Sequence, residues 1–326
     1  MDKNNIKWGI ISTGKIANKF VADLKLVDSG SAYAVASRSL EKAEAFCKKY
    51  QMAKAFGSYA ELINDPQVDI IYIGTPHDSH SSIAIACLEA GKPVLCEKPL
   101  GVNAGQVQSI INASVKSKTF MMEAFWARFN PTIQRSFELI QSGAIGDVNY
   151  INADFSFARN DADESRMLNK SLAGGALLDM GVYPIFLAYL VFGNPIDIKA
   201  ISRFYKTGVD IQTGILLKFQ NGIANLMTGF VSKSDMTAKI YGSNGHIYIN
   251  PNWHHSEGLE LKSGDQITNE VHPTKGMGYT YEIEECHKCL SNTQIQSDLW
   301  SHQNSLDLIS ITDEIRTQVG LKYPFE

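Results

Sequence analysis

Apolar runs of strand length alternate with stretches of helical spacing over the first third of the chain. Lys7 to Ser12 reads as a short buried strand. Lys15 to Leu26 follows as a helix, with Ile16, Phe20 and Leu24 on one face and Val27 continuing it. Ala32 to Ser37 is a second strand, and Leu40 to Tyr50, rich in Ala, Glu and Lys, a second helix. Ala55-Phe56 is a brief third strand, and Asp69 to Thr75 a continuous apolar run. Ser81 to Ala90 is helical and stops at Gly91, in the place where a helix favours a left-handed glycine. Pro93 to Cys96, Val102 to Lys116 and Phe120 to Glu123 continue as strand, helix and strand. This alternation predicts an α/β unit built on a doubly wound parallel sheet.

The rhythm changes near Phe125. Val148 to Phe157 alternates as a strand with one wet face. Val209 to Phe219, Gly222 to Val231 and Thr237 to Ile249 read as antiparallel strands with turns at Gln220-Asn221-Gly222 and Ser243-Asn244-Gly245. A long helix is expected over Gly175 to Phe192, and helix again over Glu282 to Val319. The predicted organisation is a dinucleotide-binding domain over 1–124 and an α+β domain over 125–326 with a large open antiparallel sheet. The C-terminal helices are allowed to return to the first domain.

The chain has 326 residues, 44% of them hydrophobic, and a formal net charge of −4. That balance gives nucleic acid no basic surface to bind. Five cysteines without framework spacing suggest reduced thiols. The start, Met1 to Asn5, is polar, and the longest apolar candidate, Ile185 to Phe192, falls short of the roughly 18 residues that suggest a membrane span. A soluble cytoplasmic protein without membrane or nucleic-acid partners is the expectation.

Candidate chemistry gathers at predicted strand ends, where open α/β sheets bind ligands. Lys98, in Cys96-Glu97-Lys98-Pro99, would hold its ammonium in a cleft, positioning a substrate oxygen and lowering the pKa of a neighbouring acid. After the first strand, Ser12-Thr13-Gly14-Lys15-Ile16-Ala17 is a dinucleotide fingerprint weakened at its first and third glycines. Gly14 holds the place where backbone approaches a pyrophosphate. Ser37 and Arg38 follow the second strand where an acid would select NAD; a guanidinium there suits the 2′-phosphate of NADP. The alternative is that Arg38 merely caps a surface loop and NAD is the cofactor. Thr75-Pro76-His77 closes the fourth strand on the same rim. His77 and His80 are either nicotinamide-side contacts or ordinary loop residues.

Gly174 to Tyr183 is the second informative run. On a helix, Asp179 and Tyr183 share a face. An acid and a phenol facing a lysine would make a proton-transfer trio. By themselves they read rather as a helix-face charge and a core tyrosine, and Pro184 should kink the helix there.

These runs resemble the Gfo/Idh/MocA oxidoreductase family over nearly the whole length. The carriers are Gly9 to Ala17, Glu97-Lys98-Pro99 and Asp179-Met180-Gly181-Val182-Tyr183. Met122 to Phe129, Gly174 to Tyr183 and Thr207-Gly208-Val209-Asp210 are similar to its dimeric, NADP-using dihydrodiol dehydrogenase branch. The resemblance implies Lys98 and Tyr183 as catalytic pair with Asp179 in support, Trp126 and Phe155 toward substrate, and a homodimer formed through the open sheet. It also implies hydride transfer between NADP(H) and a sugar, polyol or diol. A cofactor-binding sensor without catalysis is the rival reading, and the presence of both lysine and phenol weighs against it.

Three features carry no assigned role. Cys286-His287-Lys288-Cys289 lacks a second ligand pair for zinc, so no metal is expected. The acidic residues before Cys286 read as a solvated helix face. His254-His255 reads as loop.

Overall fold

The computed structural model describes residues 5–159 and 165–326. The polar start, Met1 to Asn4, lies outside them. Two compact units divide the chain: Met1–Trp126 with Lys275–Leu306, and Ala127–Thr274 with Asp307–Glu326. Residues 275–306 thus cluster with the first unit, whereas a single cut after residue 124 places them with the second.

In the first unit, strands β1 (Ile6–Ile11), β2 (Gly30–Ala36), β3 (Lys54–Phe56), β4 (Ile70–Ile73), β5 (Val94–Glu97) and β6 (Met121–Ala124) form one sheet in the order β3-β2-β1-β4-β5-β6. Every pairing is parallel. Helices α1 (Lys15–Leu24), α2 (Leu40–Tyr50), α3 (Tyr59–Ile63), α4 (His80–Glu89) and α5 (Ala104–Ser117) connect them. The strand order reverses between β1 and β4, which opens a crevice outside their carboxyl ends. Burial explains the continuous apolar runs: Trp8, Ile10, Ile11 and the whole of β4 are inaccessible to solvent. Phe20 of α1 stacks on Tyr72 of β4 with ring centroids 3.7 Å apart. Its truncation to alanine would remove a fully buried ring at a cost of about 3–5 kcal/mol.

Helix starts are set by short polar side chains. Ser39 Oγ accepts the Lys42 N–H at 3.4 Å to begin α2, and Asn103 Oδ1 accepts that of Gln106 at 2.9 Å to begin α5. Gly91 follows α4 at φ +72, as its position requires. Helix α3 was not expected. A Ser58–Glu61 capping box starts it in what reads as a loop.

The second unit holds α6 (Pro131–Gln141), β7 (Val148–Ser156), α7 (Val182–Phe192), β8 (Asp197–Phe204), β9 (Asp210–Lys218), β10 (Ile223–Gly229), β11 (Ala238–Gly242), β12 (Gly245–Ile249), β13 (Gly258–Ser263) and β14 (Gln266–Val271). The eight strands run β14-β13-β12-β11-β7-β10-β9-β8. All neighbours are antiparallel except β7 and β10, so the expected antiparallel sheet contains one parallel pair. Ile151, Ala153, Leu226, Ile240 and Ile247 are buried on one face, and α7 packs on β7 and β10. Strands β13 and β14 were not read from the sequence, because few of their residues are both apolar and buried.

The expected single helix over Gly175 to Phe192 is instead a π-helical turn, Leu177–Gly181, followed by α7. Pro184 lies three residues beyond the π-helical turn, in helical backbone that continues from it. The span Lys170–Phe192 has the length and mean hydropathy, 1.7, of a membrane-crossing helix, yet 78% of its apolar window is buried within the protein.

Helix α8 (Thr280–Ser291) belongs to the first unit, and α9 (His302–Val319) runs across the division. Two of the three acidic residues of α8 correct the reading of a solvated face: Glu282 is fully buried and Glu285 nearly so, while Glu284 is exposed. Both oxygens of Glu282 lack hydrogen-bond partners, and burial with the neighbouring charges of Glu97 and Asp23 pushes its pKa well up. The buried Asp23 carboxylate accepts the N–H groups of Met277 and Tyr279, each at 2.9 Å, fastening the segment before α8 to α1.

Candidate active site

The first unit brings the expected nucleotide residues to the carboxyl rim of its parallel sheet. Ser12 ends β1 at φ +141, a conformation glycine adopts more easily. Its Oγ accepts the Gly14 N–H at 3.0 Å, which fixes the turn. Gly14 is the exposed N-cap of α1, followed by exposed Lys15 and half-buried Ile16, with half-buried Thr13 before it. A Cβ at Gly14 would come within 3.2 Å of Ser12 Oγ. The turn therefore keeps a bare backbone at a helix N-terminus whose first N–H groups have no helical acceptors, a fit for phosphate.

Ser37 follows β2, and its Oγ accepts the Ser39 N–H at 3.3 Å. Arg38 projects between them, exposed. Burial raises the pKa of Asp78, on the turn after Pro76 and His77, and the positive field of Arg38 opposes that rise. Asp78 is thus a further acid of this rim, one that no motif in the sequence marked.

Thr75 and Pro76 leave β4 half-buried, and His77 is buried. His80 is fully buried. Its Nδ1 lies 2.9 Å from Pro99 O and its Nε2 2.9 Å from Thr75 O. His80 straps the end of β4 to the loop after β5.

That loop carries Lys98, half-buried, directly after Glu97 at the end of β5. Tyr72 donates its hydroxyl to Glu97 Oε1 at 2.6 Å in a buried pair. Beneath the loop, Glu123 of β6 is fully buried. It accepts the Leu100 N–H at 2.9 Å and the Trp300 indole N–H at 3.0 Å. Burial raises its pKa, and a hydrogen bond with Ser305, the Trp300 and Leu100 donors and the Lys98 charge oppose that rise. Trp126 closes the unit with its ring 5.0 Å from that of Tyr279.

In the second unit the run Gly174 to Tyr183 is held tightly. A Cβ at Gly174 would meet three backbone oxygens, the nearest, Arg166 O, at 2.5 Å. Asp179 lies in the π-helical turn, and its Oδ1 accepts from Arg166 Nη2 at 2.8 Å. π-turns often mark functional positions, because the extra residue redirects side chains. Tyr183 is buried at the start of α7. Phe155 of β7 stands edge-on to it at 5.2 Å, and His254 does so at 5.4 Å. His254 stacks on Phe155 at 4.2 Å. The sequence reading passed over this histidine. Trp253 donates its indole N–H to Asp154 O at 2.9 Å, pinning the turn that carries it. Arg166 and His254 had no recognisable signal, since each reaches its neighbour through the fold rather than through spacing.

Among the described residues no group of three His, Cys, Asp or Glu side chains is placed to hold a metal ion. Cys286 and Cys289 lie buried along α8, their thiol pKa values raised by burial.

Residues 6–125 match the family profile described as oxidoreductase family, NAD-binding Rossmann fold, and residues 133–248 match the GFO/IDH/MocA C-terminal domain. The chain is 34% identical to trans-1,2-dihydrobenzene-1,2-diol dehydrogenase of Sus scrofa, covering 98% of both sequences. It is 37% identical to the Xenopus laevis protein of the same name, covering 98% of this chain and 99% of that one. Among solved structures, aldose-aldose oxidoreductase from Caulobacter crescentus, complexed with glycerol, superposes with a TM-score of 0.89 at 20% identity over 97% of this chain and 98% of that one. A 3-ketoreductase from Actinomadura kijaniata, in complex with NADP and TDP-benzene, superposes with a TM-score of 0.87 at 24% identity over the same shares.

Proposed function

The chain belongs to the GFO/IDH/MocA oxidoreductase family, and on that footing we propose that it moves hydride between NADP(H) and a secondary alcohol or carbonyl of a sugar, polyol or trans-diol. One observation carries this reading. The parallel order β3-β2-β1-β4-β5-β6 sets the Gly14 turn, Arg38 and Lys98 on one carboxyl rim.

Ser12 to Ile16 would hold the pyrophosphate through backbone N–H groups, and Arg38 a 2′-phosphate. The nicotinamide ring, when bound, supplies the hydride acceptor or donor. In alcohol oxidation Tyr183 takes the hydroxyl proton as the C–H hydrogen leaves with its electron pair. In reduction it returns that proton to the carbonyl oxygen. A free phenol has a pKa of about 10, and the pairing of Tyr183 with Lys98 that the family resemblance implies would favour the phenolate the reaction needs. Lys98 also stabilises negative charge growing on the substrate oxygen. Asp179, tied to Arg166, orients the polar groups around that oxygen. The family resemblance assigns Phe155 and Trp126 to substrate contact.

The outward face of β8, β9 and β10 supports a homodimer as the working form. Ile201 and Met227 flank Gly214 on that face and stand 77% and 42% exposed, with Leu216 beside them.

Titration with NADPH and NADH, followed by nicotinamide fluorescence, tests the cofactor. Tight NADPH and weak NADH binding are expected, and preference for NADH would overturn the part given to Arg38. Turnover assays with D-xylose and trans-1,2-cyclohexanediol test the chemistry. Lys98→Met should abolish turnover while NADPH still binds, and an active variant would refute the assignment.

A further inference from the structure

Asp210 opens β9 and is completely buried. Its Oδ2 accepts the Leu177 N–H at 2.8 Å and the Thr213 hydroxyl at 3.1 Å. Its Oδ1 is also buried, without a hydrogen-bond partner. That oxygen lies against Gly175, which sits at φ +127; a Cβ there would come within 2.3 Å of it. Leu177 is the first residue of the π-helical turn, two residues before Asp179 and six before Tyr183. The N–H groups that open such a turn have no acceptor within it. One turn earlier, Tyr323 donates its hydroxyl to Gly174 O at 3.0 Å.

A carboxyl is an expensive group to bury here. Desolvation moves its pKa up to about 6, the donors from Leu177 and Thr213 and the charge of Arg316 only partly opposing it. Thr213 already has the Ser202 hydroxyl at 2.8 Å, so it does not require Asp210. The one backbone donor that Asp210 serves on the proposed catalytic segment is Leu177. Holding that amide sets where the turn begins along the helix axis, and with it the reach of Asp179 and Tyr183.

We propose that Asp210 is a positioning residue for the reaction: it fixes the start of the π-helical turn and so holds Asp179 and Tyr183 in their productive places. The proposal rests on the acid/base reading of Tyr183 given above. Catalytic groups displaced by even a fraction of an ångström lose rate while binding persists.

The test compares Asp210→Asn, whose amide oxygen still accepts the Leu177 N–H, with Asp210→Leu, which keeps the volume and loses the acceptor. Steady-state kinetics with D-xylose and an NADPH titration are run on both. The asparagine variant should keep kcat within about threefold, whereas the leucine variant should lose about tenfold or more in kcat, with KM and NADPH affinity within about twofold. Asp210→Ser, too short to reach Leu177, should lose kcat likewise, and it stands in if the leucine variant does not fold. Wild-type kcat in a variant lacking the acceptor overturns the proposal. So does an equal fall in the asparagine and leucine variants, which would make charge rather than acceptance the essential property. Tyr183→Phe is measured alongside. If it turns over normally, the acid/base reading fails whatever Asp210 does; if it is inactive, the Asp210 variants judge the positioning role alone.

Discussion

The backbone N–H of Leu100 donates to Glu123 Oε1 at 2.9 Å, two residues beyond Lys98 and wholly out of solvent. The same carboxyl takes the Trp300 indole N–H at 3.0 Å. Glu123→Ala strands these two donors and removes the hydrogen bond with Ser305. It should cost about 2–3 kcal/mol of stability and lower turnover by loosening the Lys98 loop. Thermal unfolding and kcat read the two effects, and Glu123→Gln, which keeps one acceptor oxygen, should fall between.

His287 couples the first unit to pH. Trp8 Nε1 donates to its Nε2 at 2.9 Å, so the ring proton resides on Nδ1, which faces Ser29 Oγ at 2.9 Å. Burial lowers its pKa from 6.5 to about 4. Between those values the unfolded chain binds a proton that the folded chain refuses. Stability from this group is therefore full above pH 6.5 and is lost as pH falls toward 4, by about 3 kcal/mol in all. Urea unfolding across this window should show that decline, and His287→Gln should flatten it.

Ser12 occupies its turn at φ +141. Ser12→Gly relieves that strain and gives up only the exposed bond from Gly14 N–H. A net gain of about 0.5–1 kcal/mol is expected. A melting temperature unchanged or lowered would show that the serine hydroxyl matters more than the backbone.

His254 stacks on Phe155 and stands edge-on to Tyr183. His254→Ala removes this ring from beside the phenol. It should lower kcat/KM by about tenfold with NADPH affinity unchanged. Equal kinetics in variant and parent would leave His254 as packing alone.

Much of the first unit was legible because its physics is local. Buried parallel strands are apolar throughout, Gly91 ends α4 as its backbone demands, and the turn at Gly14 follows β1 directly. Lys98 was legible as the last polar step out of an apolar strand. The misses have one cause, which is distance along the chain. His254 and Arg166 meet Phe155 and Asp179 only through the fold, and although Glu123 and Asp210 stand in runs that the sequence singles out, their partners Trp300 and Leu177 lie far along the chain. Glu282 was misread for the same reason, since its burial depends on the packing of α8 within the first unit. The π-helical turn escaped because residues 175–192 are apolar at helical spacing and continuous with α7. The parallel pairing of β7 with β10 has no local signature either.

The first unit is assembled from two stretches that a ribosome makes far apart in time. Its opening stretch ends at Trp126, and its remainder begins only at Lys275. At about 5–20 residues per second, that interval lasts on the order of ten seconds or more. Through it the nascent chain holds Trp8, Asp23 and Glu123 before His287, Tyr279 and Trp300 exist to meet them. A fragment truncated after Trp126 would stay in that unfinished state, with apolar surface open to chaperones and aggregation. The nucleotide-binding unit is therefore not a portable module, and its completion waits on the synthesis of residues 275–306.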